Sequence, residues 1–246
     1  MTSRESAIYQ LKKLKGQPLK KKVSYILTYF WIPITVVIAT IIFSVSLIVH
    51  WATLKPTAFT LCCINSIADP ASVDSYLGDF AQACDIDTDE YSLTSQMIYL
   101  GQGMESDYQN AELFSVMMIA GDLDVVAAED TILVRYAYQD AFVDLSERVT
   151  SEQMDALAPY LLYIDASLLE EMSEFSEETP TYPDPTKPEE MKQPVPVAIM
   201  LQPEWNLAKV CYPYTHGDTA VSLTTNSKNS DNAQAFLQFV LGQKEN

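Results

Sequence analysis

Residues 107–128 read DYQNAELFSVMMIAGDLDVVAA and contain, in order, three signals that predict the fold. Apolar side chains recur at helical spacing, which predicts an amphipathic helix over Asp107–Ala120. Gly121 follows, and glycine is the usual residue at the left-handed position that ends a helix. Asp124–Ala128 is then a short apolar run typical of a buried strand. The stretch therefore predicts a helix that leads directly into a sheet. The predicted buried stripe of the helix consists of Tyr108, Ala111, Phe114, Met117 and Met118.

The same alternation of strand and helix continues on both sides of this stretch. Upstream, we predict a strand at Thr57–Ile64, a helix that begins at Asp69-Pro70, and a strand at Tyr91–Leu100. Strands that alternate with crossover helices indicate an α/β domain, a mostly parallel sheet flanked by helices. The downstream predictions are a helix around Ile132–Ala137, an extended segment at Phe142–Leu145, a helix at Ser151–Leu157, strands at Leu161–Ile164, Val195–Leu201 and Ala220–Thr224, and helices at Pro203–Val210 and Ser230–Gly242.

One segment near the N-terminus is long and apolar enough to cross a membrane. Residues 23–54 contain no Lys, Arg, Asp or Glu. A bilayer core of roughly 30 Å needs about 20 apolar residues in a helix, so we predict a transmembrane helix over residues 23–53. The Ser and Thr residues within the segment are no objection, because a helical hydroxyl can donate to a carbonyl one turn back.

The charges on the two sides of this segment predict its orientation. Residues 1–22 carry seven basic residues and one acid, whereas the rest of the chain carries eight basic and 32 acidic residues. Basic flanks stay on the cytoplasmic side, so we expect a cytoplasmic tail at 1–22, a single pass through the cell membrane, and an extracellular domain at 54–246. A cleaved signal peptide is the alternative, but His50–Leu54 offers no small-x-small cleavage site.

The outer segment is long enough for one domain and is interrupted by one biased stretch. Residues 170–196 are first acidic and then rich in proline. Because proline blocks both helix and ladder hydrogen bonds, we predict an exposed loop or linker here.

Three short motifs carry a family resemblance. The first is Ala120–Ala128, a helix end with a Gly-Asp-x-Asp step before a strand, and the second is Phe-Val-Asp-Leu-Ser at Phe142–Ser146. The third is the C-terminal Asn229–Phe239. Together they resemble extracellular solute-binding proteins of ABC importers, and the third looks like the closing helix of that family. The chain is shorter than most members and has a transmembrane segment in place of a lipid anchor. It more closely resembles short membrane-anchored relatives from Gram-positive bacteria.

The resemblance implies a single or reduced lobe of the type 2 periplasmic-binding-protein fold. It also implies a membrane-anchored solute-binding-like module, associated with a transporter or an envelope assembly in the same membrane. The alternative is an interaction or structural protein that keeps the fold without binding a ligand. Neither the ligand nor the partner protein is readable from the sequence.

Several residues are candidates for a ligand site. Aromatic side chains at Tyr99, Tyr136, Trp205, Tyr212 and Tyr214 could stack on a sugar or clasp a peptide, although such side chains more often form core. The favoured ligand-binding set is Tyr99, Gly101, Gly103, Trp205 and Tyr212.

Metal and thiol sites have weaker patterns. Asp85, Asp87 and Asp89 have the spacing of calcium ligands, but Glu90 and Gln96 replace the glycine and glutamate of a calcium loop, so we predict no metal site and no cofactor. The pair Cys211 and His216 is below the usual metal signature. Cys62 and Cys63 point to opposite faces of a strand, so at most one of them can face Cys84, and Cys211 is the other natural partner. Four buried, unpaired thiols are the favoured interpretation, and disulfide connectivity stays open.

Catalysis and nucleic-acid binding are not predicted. The chain has two histidines, no Gly-x-Ser-x-Gly and no phosphate-binding glycine loop, so the sequence does not favour an enzyme. A formal charge of −24 after the basic tail would repel nucleic acid. Cationic peptides, metal ions or a basic partner protein stay compatible with that charge. The expected partners are the lipid bilayer, a membrane transporter or envelope protein, and an unidentified small molecule or peptide.

Overall fold

A computed structural model describes residues 18, 23–24, 28, 31–101, 105–169, 182–214 and 218–242 of the chain. The chain divides between Leu54 and Lys55 into two compact units. Some of the predictions above concern residues that lie outside the described ones. These residues are the basic tail apart from Pro18, Gly103, His216, and residues 170–181 of the proline-rich segment.

The first unit contains one apolar helix, α1 (Trp31–Thr53). Its stretch Trp31–Trp51 has a mean hydropathy of 2.6, and none of it is buried by protein. The hydroxyls of Thr35 and Thr40 each donate to a carbonyl four residues back at 2.8 Å, as predicted. The helix therefore satisfies its own polar groups and has the length and composition to cross a membrane.

The second unit is an α/β domain whose elements follow the predicted order. Strand β1 and helices α5 and α7 have the predicted bounds, and the predicted ends of the other elements coincide with the observed ends or differ by one to three residues. Phe142 forms an isolated bridge with Thr224 instead of a longer extended segment. The elements are β1 (Thr57–Ile64), α2 (Pro70–Ala83), β2 (Ser92–Ile98), α3 (Glu105–Ala120), β3 (Val125–Glu129), α4 (Asp130–Ala137), α5 (Ser151–Leu157), β4 (Leu161–Asp165), β5 (Pro194–Met200), α6 (Asn206–Cys211), β6 (Thr219–Leu223) and α7 (Ser230–Gly242).

The six strands form one mixed sheet in the order β2-β1-β3-β6-β5-β4. β1 pairs in parallel with β2 and β3, whereas β6 is antiparallel to β3 and β5, and β4 is antiparallel to β5. The predicted mostly parallel character is thus not confirmed, since three of the five pairings are antiparallel. Alternation of strands and helices did not distinguish the two cases, because a short helix such as α6 also fits into an antiparallel connection.

Helices cover both faces of the sheet. On the first face, to which Phe59, Leu61 and Cys63 of β1 point, α2, α6 and α7 pack, and on the second face, to which Cys62 and Ile64 point, α3 and α4 pack. A set of stacked, edge-on and tilted aromatic rings fills the centre of the first face, with centroids 4.7–6.3 Å apart. Its members are Phe59, Tyr76, Phe80, Phe236 and Phe239. Burial of such rings is a main source of stability for the domain.

Gly121 and Asp124, within residues 107–128, connect three parts of the domain, and we call them with their contacts the structural joint. Gly121 has φ +70°, and a Cβ atom there would lie 2.2 Å from the carbonyl oxygen of Asn226, so only glycine fits. Asp124 is fully buried and accepts hydrogen bonds from the Thr60 backbone N–H at 2.7 Å and the Ser227 hydroxyl at 2.5 Å. The Gly-Asp-x-Asp step therefore joins α3, β1 and the segment before α7.

The end of the predicted proline-rich loop belongs to the sheet. β5 begins at Pro194 and includes Pro196, although the loop was predicted to extend to residue 196. The proline-containing part of β5 pairs with β4, and the ladder between β5 and β6 is formed by Ile199 and Met200. A strand tolerates proline where one of its sides carries no ladder, which explains the difference.

Candidate functional site

Two of the predicted ligand residues meet at the end of β1, where they bind backbone. The Tyr99 hydroxyl donates to the Ser66 carbonyl at 2.7 Å. The Tyr212 hydroxyl lies 2.9 Å from the Ile64 carbonyl and 2.6 Å from the Ala127 carbonyl, and the residue is 5% exposed. Both tyrosines thus use their hydroxyls to satisfy carbonyl groups in β1 and β3 or just beyond β1.

The other members of the predicted set lie elsewhere. Trp205 is 3% exposed and packs edge-on against Tyr160, with ring centroids 5.8 Å apart. Gly101 is exposed just beyond β2. Of the other two aromatic candidates, Tyr136 packs against Phe114 in the core of the second face and Tyr214 is exposed. The described members of the set are therefore not arranged around one shared cavity.

The Asp85–Asp89 segment is a turn before β2. Asp85 adopts φ 53°, and the Asp87 carboxylate accepts the backbone N–H of Asp89 at 2.8 Å, which is an Asx turn. Within the residues that the structure describes, no group of three or more His, Cys, Asp or Glu side chains is placed to hold a metal ion. The pattern that resembled a calcium loop serves here to reverse the chain.

The cysteines divide into one close pair and two separate thiols. The Sγ atoms of Cys63 and Cys211 lie 3.2 Å apart and both residues are fully buried. The hydrogen bond with Cys211 and burial raise the pKa of the Cys63 thiol. Burial alone raises the pKa of Cys62, on the other face of β1, to about 12. These thiols are protonated at neutral pH and are poor nucleophiles.

A groove runs along β2, the strand at one edge of the sheet. It has a volume of about 670 Å³, and six consecutive residues, Tyr91–Gln96, line it. Successive strand residues point to opposite faces, so a groove lined by all of them follows the backbone edge itself. We call this surface the β2 groove. Its other lining residues are Lys55, Pro70, Asp74, Leu77, Gly78 and Thr88.

The backbone of β2 presents alternate residues to this groove. Ser92 donates its N–H to Pro56 and Ile98 accepts the N–H of Asn65, so the even-numbered residues face β1. Leu93, Ser95 and Met97 therefore direct their N–H and C=O groups outward. Within the described part of the chain, these outward groups have no backbone partner. An edge of this kind is a template for a further strand.

The charges around the groove are predominantly negative. Asp85, Asp87, Asp89 and Glu90 are exposed in the segment that leads into β2. Lys55 is the basic residue of the groove lining, and its Nζ donates to the Thr88 carbonyl at 2.6 Å. Asp74 accepts a hydrogen bond from the Ser95 hydroxyl at 3.2 Å. One end of the groove is thus acidic, whereas β2 itself carries no charged side chain.

A second, smaller groove of about 480 Å³ lies near the start of β1. It includes Gly121, Asp122 and Lys228, and the Lys228 ammonium is 2.6 Å from the Asp122 carboxylate. These residues form the joint around Asp124 described above. We therefore regard this groove as part of the structural joint.

Sequence reasoning predicted β2 but missed that it is an open edge. The signal was present, since β1 and β3 consist almost wholly of apolar residues, whereas β2 reads Ser-Leu-Thr-Ser-Gln-Met-Ile. Uncharged polar side chains in a strand indicate partial exposure on both faces, which is typical of an edge strand.

Comparison with known proteins adds no family to these observations. No protein-family model matches the chain, and no curated protein matches its sequence.

Proposed function

We propose that the chain is a single-pass membrane protein whose outer domain is a non-catalytic interaction module. In this proposal, an extended segment of a partner protein adds to the sheet along β2 and lies in the β2 groove. The observation that carries the proposal is the run Tyr91–Gln96, which includes the first five residues of β2 and lines an open groove of about 670 Å³ with outward backbone groups at Leu93 and Ser95. Main-chain hydrogen bonds supply affinity in such complexes, and alternate side chains supply specificity.

The anchor and its orientation belong to the same proposal. The apolar span Trp31–Trp51 supports a membrane helix, and the seven basic residues before it support a cytoplasmic N-terminus. A permanent anchor confines the domain near the bilayer, which raises its effective concentration toward a partner in the same membrane. A transporter subunit or another envelope protein meets this condition.

Charge favours a partner segment of defined chemistry. The chain after its basic tail has a formal charge of −24, and four acidic residues lie at the start of β2. A strand with an uncharged centre and Lys or Arg residues at one flank would match both the neutral edge and its acidic end. A partner segment with acidic flanks would be repelled.

Binding of a designed peptide to the full-length protein in nanodiscs tests this proposal. The probe is a fluorescent KKTVTVTV peptide, and the controls are the same peptide with two Glu in place of Lys and a version with Pro at alternate positions. We expect fluorescence anisotropy to show binding of the first peptide, at least about tenfold weaker binding of the second, and none of the third. Equal binding of all three would refute strand addition.

A matched pair of variants tests the location of the site. Ser95→Pro removes an outward N–H that has no backbone partner, whereas Ser95→Ala keeps that N–H and removes the hydroxyl. We expect Ser95→Pro to abolish binding and Ser95→Ala to leave it within about twofold. If the peptide binds both variants alike, its site is not the β2 edge. A dimer that Ser95→Pro dissociates would instead identify a second copy of the chain as the occupant.

Binding of a small solute is the second candidate function. The β2 groove lies within the usual range of about 300–1,000 Å³ for small-molecule sites and contains hydroxyl, amide and carboxylate groups. A thermal-shift screen of the same protein against sugars, amino acids, short peptides and divalent ions tests this candidate. Stabilisation by a sugar or an amino acid that persists in Ser95→Pro would favour the solute-binding function.

Epitope tags test the topology. We expect a C-terminal tag to be stained on intact cells and an N-terminal tag only after permeabilisation, with both tags on one full-length chain. Loss of the N-terminal tag from the mature chain would show a cleaved signal peptide instead.

A further inference from the structure

The pair of buried thiols on the first face of the sheet is not used by the proposed binding site. Cys63 belongs to β1 and Cys211 is the last residue of α6. Their Sγ atoms lie 3.2 Å apart, and each residue is 0% exposed. This distance places the two sulfur atoms in direct contact, with no room for another atom between them.

Hydrogen bonds around both cysteines hold the two thiols in this position. The Ser66 hydroxyl donates to the carbonyl of Cys211 at 2.5 Å. The Tyr212 hydroxyl lies 2.9 Å from the carbonyl of Ile64. The residues that follow each cysteine therefore attach α6 to the end of β1, and the sulfur contact lies inside this attachment.

The remaining two cysteines are placed differently. Cys62 points to the second face of the sheet, because neighbouring strand residues alternate. Cys84 ends α2 and is half-buried beside Asp85. Of the three cysteines that could pair with Cys211, the structure therefore places Cys63 against it.

We propose that Cys63 and Cys211 are joined by a disulfide in the mature protein. The proposal shares the outward orientation of the domain with the proposed function, but it does not depend on any partner. Disulfides persist on the outer side of the membrane, where the reducing systems of the cytosol do not act.

The chemistry is thiol–disulfide exchange with an external disulfide, either a small-molecule disulfide or the oxidised dithiol of a thiol oxidase. One cysteine thiolate attacks the donor disulfide and releases one donor thiol; the second thiolate then attacks the mixed disulfide and releases the other. The protein loses two thiol protons and gains one S–S bond, and the donor is reduced to two thiols. Because both sulfurs are fully buried in the folded domain, the reaction takes place before α6 packs on β1.

A bond at this position would connect distant parts of the chain. The two residues are 148 positions apart, and a cross-link that closes a long loop stabilises a protein mainly by restricting its unfolded state. It would also fix α6 against the ends of β1 and β3, where Tyr212 already contacts the backbone. We expect reduction to lower the melting temperature of the protein by about 10 °C.

Counting of free thiols tests the proposal without requiring folded protein. The full-length protein is expressed with its membrane helix, alkylated with N-ethylmaleimide in denaturant without prior reduction, and weighed by mass spectrometry. We expect two alkylations, at Cys62 and Cys84, and four after reduction. Four alkylations without reduction would overturn the proposal.

Single variants identify the pair. Cys63→Ala and Cys211→Ala should each show three alkylations without reduction, because each releases its partner. Cys62→Ala and Cys84→Ala are the matched controls and should show one. Three alkylations in either control would mean that a different pair is bonded. The outcome is independent of peptide binding, so either proposal can fail alone.

Discussion

The two edges of the sheet are finished in different ways. At β4, outward N–H groups have partners: that of Tyr163 donates to the Pro185 carbonyl at 2.8 Å, and that of Asp165 donates to the Tyr138 hydroxyl at 3.0 Å. At β2, the outward groups of Leu93 and Ser95 face the β2 groove, and those of Met97 lie beyond its lining. Proteins normally cover or charge their sheet edges, because an open edge invites a further strand. One edge of this domain follows that rule, and the contrast marks the other as the surface available to a partner.

A buried carboxylate holds the segment that covers β4, residues 182–193, which we call the cover. Asp165 is 5% exposed and accepts the backbone N–H groups of Lys192 at 2.9 Å and Gln193 at 3.0 Å. In the same segment, the ring of Tyr182 stacks on Tyr138 with centroids 5.0 Å apart. Hydrogen bonds from backbone N–H groups lower the pKa of Asp165 to about 2, and the bond from Lys192 has the largest effect. β2 has no corresponding residue within the described part of the chain.

The largest expected effect comes from removing this carboxylate. Asp165→Ala leaves the N–H groups of Lys192 and Gln193 without their acceptor, and such groups are costly when buried. We expect the melting temperature to fall by roughly 5–10 °C and hydrogen exchange at Tyr163 to accelerate. Glu189→Ala, which changes an exposed carboxylate in the same segment, is the control. An unchanged exchange rate at Tyr163 would mean that other contacts hold the cover.

Acid should weaken the covered edge in a defined window. The folded-state pKa of Asp165 is about 2, below the value of about 3.9 in an unfolded chain. Its contribution to stability is therefore fully present above about pH 4 and is lost as the pH falls toward 2. Hydrogen exchange at Tyr163, measured from pH 5 to pH 2, should reveal this loss once the intrinsic exchange rate is subtracted. In Asp165→Asn the corrected profile should lose this component; a profile equal to that of the wild type contradicts the assignment.

A substitution to proline should lower stability at the β4 edge and have little effect at the β2 edge. Tyr163→Pro removes an N–H that is bonded to Pro185, so we expect it to be about 1–2 kcal/mol less stable than Tyr163→Ala. Ser95→Pro removes an unpaired N–H and should lie within about 0.5 kcal/mol of Ser95→Ala. Urea unfolding of the four variants measures both differences. Equal losses at the two edges would show that β2 is also covered.

The smallest effect is expected from the ion pairs on the cover. Lys187 lies 3.3 Å from Asp184 and 3.6 Å from Glu190, and all three side chains are exposed. Lys187→Ala should therefore lower stability by less than about 0.5 kcal/mol, and the difference should vanish in high salt. A larger loss of stability would mean that these ion pairs contribute to holding the cover on β4. Lys209→Ala provides the control for removing a single positive charge.

Much of the local structure was predictable from short-range patterns. Thr57–Ile64, Ser151–Leu157 and Ser230–Gly242 have the predicted bounds, because their apolar periodicity and flanking residues are local signals. Strand pairing was not predictable in the same way. The pairing of β6 with β3 connects residues that are at least 90 positions apart in sequence, which no local pattern records.

The candidate site shows the same division. Tyr99 and Tyr212 were selected because aromatic side chains often bind ligands, but residue type does not reveal which groups a side chain will meet in the fold. In the structure, the Tyr99 hydroxyl contacts the Ser66 carbonyl, and the Tyr212 hydroxyl contacts the carbonyls of Ile64 and Ala127. The β2 groove was missed because its key groups belong to the backbone, and every residue has the same backbone groups.

The sequence by itself determined the apolar membrane-length helix, the basic tail and the acidic domain, because length, hydropathy and charge are properties of the chain that packing does not alter. It also determined most helices and strands, through periodicity and through residues such as Gly121. Only the tertiary structure decided which strand lies at an open edge and which thiols touch. Both depend on the order of strands in the sheet, and that order arises from packing between distant segments.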